Sequence, residues 1–165
     1  MFGSHFGRPI RRLAIIALAT SLWTTPAVAD DTAQAFKCCD DPRLTRVVDA
    51  YLDVHTALAA NSEKDTRTAM KALLPASRDT SGYSRADRAA LNTLHKLVDD
   101  AVDGAIGAIR EAFDPISRQV IFLALRHQGG DSRVAEALCP QVGPWLQADV
   151  TVVASPYGET CGRWR

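Results

Sequence analysis

The residues of this 165-residue chain best suited to chemistry are its four cysteines, Cys38, Cys39, Cys139 and Cys161. Two thiols can oxidise to a disulfide, or deprotonate and hold a soft ion such as Cu(I), which prefers sulfur ligands. Cys139 and Cys161 lie 22 positions apart, in a stretch that also holds Trp145, Trp164 and three of the eight prolines. Joined, they would stabilise the fold by about 3 kcal/mol through loop closure. Reduced, they are the first candidate ligands for copper(I). Cys38 and Cys39 are sequence neighbours, and a disulfide between neighbours closes a strained ring. One of them is therefore expected to pair elsewhere, or both to stay as free thiols open to metal or oxidation. That makes them a second, weaker ligand pair.

Other chemistry is sparse. His55, His95 and His127 fall on the apolar stripes of three different segments, where an imidazole is ordinarily a buried, hydrogen-bonded side chain. The Glu-x-x-His pairs of bundle di-metal sites are absent. So are Gly-x-Ser-x-Gly, His-Glu-x-x-His and any phosphate-cradling glycine loop. Asp99, Asp100 and Asp103 read as a solvated helix face. We expect no enzyme. A formal net charge of zero excludes the basic excess that a phosphate backbone requires, so no nucleic-acid partner is expected.

The N-terminus reads as a secretory leader over 1–29. Arg11-Arg12 closes a basic region, an apolar run extends from Leu13 to Trp23, and Ala27-Val28-Ala29 is a small-x-small cleavage site. The apolar run is too short to span a bilayer. A periplasmic or secreted protein is implied, with no membrane contact after cleavage. Without the leader's three arginines the chain carries a net charge of about −3.

Residues 30–40 read as a flexible arm, and 41–165 as one domain with a tail over 131–165. Asp41-Pro42 begins a first helix, whose stripe is Leu44, Val47, Val48, Tyr51, Leu52, His55 and Leu58. Ser62 with Asp65 caps a second, which stops near Pro75, and Ser84 with Asp87 caps a third. The third stripe runs from Leu91 to Ile109 across Gly104 and Gly107, glycines expected to allow close helix packing. Pro115 then breaks the chain, with Asp114 capping a fourth helix that ends at Gln128-Gly129. In the tail, Val134 to Leu138 and Val150 to Ala154 read as a hairpin with Gly143-Pro144 as the turn. The expected fold is all-α: an antiparallel bundle of about four helices with a small, cysteine-bracketed C-terminal β-hairpin.

Two stretches carry a family resemblance. Arg110, Phe113, Pro115 and Ser117 form an Arg-x-x-Phe-x-Pro-x-Ser element, and the tail reads Cys139-Pro140, Trp145-Leu146, Ser155-Pro156-Tyr157-Gly158, Cys161-Gly162. The pattern resembles a small exported domain of unknown function, found alone or fused to periplasmic adaptor subunits of copper and silver efflux pumps. The resemblance implies an accessory domain of extracytoplasmic metal handling, with a periplasmic efflux or metal-resistance component as partner. It also implies a metal-binding Cys/Met tail. Here Gln141 stands where that family has methionine after Cys-Pro, and the methionine before the last cysteine is missing. Both thiols remain while the thioether ligands are gone, which favours a disulfide-stapled interaction module as the competing expectation.

Overall fold

The computed structural model describes residues 38–129, 134–139, 143–148, 155–157 and 163–164, the last two as backbone. The leader and most of the arm fall outside these residues, as do Val150 to Ala154, Pro140, Gly158, Cys161 and Gly162.

Four helices carry the structure: α1 (Pro42–Ala59), α2 (Glu63–Ala76), α3 (Arg85–Ala101) and α4 (Ile106–Arg126). Three of them start where side-chain chemistry predicts. Asp41 accepts the Arg43 N–H at 2.8 Å with Pro42 in the first turn, Ser62 accepts the Asp65 N–H, and Ser84 accepts the Asp87 N–H. Asn61, at φ 54°, supplies the left-handed residue that turns α1 into α2. The buried faces follow the helical period: Leu44, Val47, Tyr51 and Leu58 on α1, Leu91, Leu94 and Val98 on α3. No helix among the described residues is long and apolar enough to cross a membrane.

The break between the third and fourth helices differs from expectation. It falls at 102–105, where the Gly104 N–H bonds back to the Ala101 carbonyl at 2.9 Å, and α4 runs straight through Pro115. The reason is a matter of magnitudes. An interior proline costs roughly 3 kcal/mol, but Ile109, Phe113, Ile116, Val120 and Leu123 lie on both sides of it, all essentially fully buried. Each contributes about 1.5–3 kcal/mol by burial, so a continuous face outweighs the lost backbone bond. Asp114 does not cap a helix; it pairs with Arg118 one turn on, at 3.0 Å. Gly107 has nothing within 4 Å of the place a Cβ would occupy, so it serves no close approach.

α1 packs on α2 and on α4, and α3 on α4 and on α2. In the tail, β1 (Ala135–Cys139) pairs antiparallel with β2 (Gly143–Gln147), and β3 (Arg163–Trp164) pairs with the other side of β1. Gly143-Pro144 is therefore strand and not turn, with Pro144 opposite Leu138. β2 is an edge of the order β2-β1-β3, the position where a residue without an N–H is tolerated. Cys139 is the last residue of β1, inside the hairpin rather than ahead of it.

Candidate functional site

Two places gather the residues with distinctive chemistry. The first is a seam where the tail lies on α1 and α4. Phe113 stacks on Tyr51 at 5.0 Å, Tyr157 meets Phe113 edge-on at 5.9 Å and Trp145 at 6.1 Å, and Trp145 stacks with His55 at 6.4 Å. Such pairs add about 0.5–1.5 kcal/mol each beyond area burial. The Tyr51 hydroxyl bonds Ser117 Oγ at 2.8 Å and accepts the Leu146 N–H at 3.1 Å, tying β2 to both helices. Arg110 donates to the Pro156 carbonyl at 3.2 Å, the Leu58 carbonyl at 3.0 Å and Asn61 Oδ1 at 2.8 Å. One guanidinium thus joins the tail, the end of α1 and the α1–α2 turn. Burial pushes the Tyr157 phenol up to about 12, so it stays protonated.

Gly143 completes the seam. It sits at φ 122°, and a Cβ there would overlap the Asp114 carboxylate. A side chain would both strain the backbone and displace the Asp114 carboxylate.

The second place is at the opposite end of α4. Cys38 and Cys39 are 0% and 1% exposed, and their sulfurs lie 2.9 Å apart, one S–H donating to the other. They are free cysteines. Their segment is knitted to the end of α4: Cys39 bridges Gln128, the Gly129 N–H donates to the Cys38 carbonyl at 3.2 Å, and the Asp40 N–H to the His127 carbonyl at 3.4 Å. The described end of the expected arm therefore occupies core positions. The sulfur–sulfur hydrogen bond, then burial, push the Cys38 thiol up, with the charges of Cys39 and Asp49 adding to the effect. The same bond holds Cys39 below the usual thiol value. Two bare thiolates side by side are disfavoured.

Cys139 is fully buried and is not among the free cysteines of the described residues. Cys161 lies outside the described residues. The three histidines do not meet. His55 is at the seam, His95 Nδ1 lies 3.1 Å from the Leu74 carbonyl and 3.2 Å from Ser77 Oγ, and His127 Nε2 is 3.4 Å from Asp87 Oδ2. Among the described residues no group of three or more His, Cys, Asp or Glu side chains is placed to hold a metal. Asp99, Asp100 and Asp103 are exposed, and Asp100 pairs with Lys96 at 2.8 Å.

Arg110, Phe113, Ser117, Trp145, Pro156 and Tyr157, quoted above for a resemblance, thus converge on the seam. Pro115 lies within α4 as a half-buried residue. Asn61, Asp114 and Gly143 belong to the seam too, and sequence reasoning missed their part in it. Only the Gly143-Pro144 pair hinted at special backbone, and a turn was the simpler reading. No known family, no curated protein and no solved structure matches this chain.

Proposed function

We propose that this is an exported, non-enzymatic accessory domain that works in the handling of copper or another soft metal. The observation that carries the reading is the Cys38–Cys39 pair: two free, buried thiols turned towards each other at 2.9 Å. Sulfur pairs of this kind are what soft ions select. The four helices form an antiparallel bundle in this reading, consistent with the pairings Tyr51–Ser117 and Leu58–Arg110 between α1 and α4 and with Cys39–Gln128, which joins the segment before α1 to the one after α4. Cys139 and Cys161 form a staple and not a ligand pair. Support comes from the burial of Cys139, its absence from the free thiols, and the pairing of Arg163 with Leu138, two residues after Cys161. The soft-ion role thereby moves from the tail to the start of the domain. The partner on this reading is a periplasmic efflux or metal-resistance component, matching the resemblance carried by the seam residues.

A second reading is favoured by the seam itself. Its motif residues are engaged in holding the tail, as a structural interaction module of the cell envelope requires. The two readings separate by mass spectrometry on chain exported to the periplasm, with and without alkylation, after anaerobic Cu(I). Two alkylatable thiols and a one-copper adduct lost on Cys38→Ser support metal handling. Four oxidised cysteines and no adduct leave the interaction module.

A further inference from the structure

We propose that Cys38 and Cys39 together bind a trivalent, pyramidal thiophile of the arsenite class, both sulfurs attaching to one arsenic atom. The inference rests on the soft-metal reading and narrows it to an ion geometry.

The sulfur separation makes the choice. At a metal–thiolate bond of ~2.3 Å, a linear two-coordinate ion such as Cu(I) holds its sulfurs about 4.6 Å apart, on opposite sides. A centre with bond angles near a right angle brings them to about 3.3 Å at the same bond length. The pair stands at 2.9 Å, sulfur against sulfur. A small outward rotation of the side chains fits the bent centre. The linear one requires the sulfurs to part by more than half their present separation, inside the packed cluster that contains Leu44, Val48 and Leu123.

Charge points the same way. Capture of As(OH)3 by two thiols breaks two S–H and two As–O bonds. It forms two As–S bonds and releases two waters, with no change in oxidation state, and the product (Cys–S)2As–OH is neutral. Two thiolates around Cu(I) would instead leave one negative charge among carboxylates. Asp40, Asp41 and Asp49 all act on this pair electrostatically, and a net buried charge beside like charges is costly. Access requires local opening. The segment is held to the end of α4 by one isolated bridge, made of two backbone bonds of 3.2 and 3.4 Å, the kind of contact that opens below the global unfolding free energy.

The test uses the full exported chain, offered arsenite, phenylarsine oxide and, in a separate anaerobic arm, Cu(I). Intact mass is read before and after alkylation, and peptide mapping assigns the protected thiols. The expected result is one arsenic per chain, Cys38 and Cys39 protected together, and at least a tenfold loss of affinity in both Cys38→Ser and Cys39→Ser. Should either variant fail to fold, the protection pattern of the unmodified chain decides. An arsenic adduct that leaves both thiols alkylatable overturns the proposal. A copper adduct without an arsenic adduct overturns the ion geometry and leaves the soft-metal reading standing. No adduct of either kind removes both.

Discussion

At the seam, the Tyr51 hydroxyl reaches Ser117 and the Leu146 N–H, and the Arg110 guanidinium reaches three carbonyl oxygens on three segments. At the start of the domain, the Cys38 and Cys39 sulfurs have been turned towards each other. Both regions bury polar atoms in an apolar cluster, yet they differ in what those atoms are engaged with. A buried polar group costs free energy unless partnered. The Tyr51 hydroxyl and the Arg110 guanidinium meet that condition with links that fasten separate elements, so their part in the seam is accounted for by architecture. A thiol is only weakly polar, and burying it costs little. The pair can therefore sit in the core with its reactivity unspent. Of the two regions, the less conspicuous sequence is the better candidate for chemistry.

That contrast can be broken most directly at Trp145. The side chain is fully buried and touches both His55 and Tyr157, so Trp145→Ala should cost about 3–5 kcal/mol. Urea denaturation of the full chain measures it. A loss under 1 kcal/mol would mean that the tail is not fastened to the helices as described. Next is Gly143→Ala, which meets both a positive φ and the Asp114 carboxylate. We expect a loss of roughly 1–3 kcal/mol, part of it recovered when Asp114→Ala is added, as a double-mutant cycle would reveal. Strict additivity would show that backbone strain, and not the approach of α4, is the whole effect. Tyr51→Phe leaves a buried N–H and a buried hydroxyl short of a partner and should cost about 1–3 kcal/mol. Cys38 and Cys39 should stay as alkylatable in this variant as in the parent chain. A change there would join the two regions that the comparison separates.

The helices were legible because a carboxylate or hydroxyl before a periodic apolar run has one dominant local solution. Asp41-Pro42, Ser62 and Ser84 start helices for that reason. Pro115 does not break the chain because its local preference is small beside the burial of Ile109, Phe113 and Ile116 on one face, whereas at Gly104 the glycine's local preference against helix prevails. Only tertiary packing sets that balance. The tail misled for a related reason. A valine run suggested a second strand at 150–154, which lies outside the described residues, but β1 pairs with Gly143–Gln147. Trp145 and Leu146 gain more against α4 than the local turn preference of Gly-Pro can oppose. The thiols were visible as a pair, but nothing in the spacing showed that they face each other inside the core.

The smallest effect concerns pH, and it tests the fastening beside the thiols. Burial alone would raise the Asp41 carboxyl, but its bonds to the Arg43 guanidinium and N–H and to the Tyr83 hydroxyl hold it down at about 2. A carboxylate depressed in the folded state stabilises the fold fully above its unfolded value, near 3.9. That contribution fades as pH falls from there through about 2. The side chain is 23% exposed, so the stake is about 2 kcal/mol at most. Asp41→Asn keeps an N-cap but cannot lose a charge, so it should be less stable at neutral pH and flatter between pH 4 and 2. The thiols offer the sharper readout. Asp41 caps the helix that begins three residues after Cys39, so fraying it should speed alkylation of Cys38 and Cys39 while leaving the seam's contribution unchanged. An acid profile identical to the parent's would show that Asp41 carries no such load, and that the packing of Leu44 and Val48 holds the segment in place.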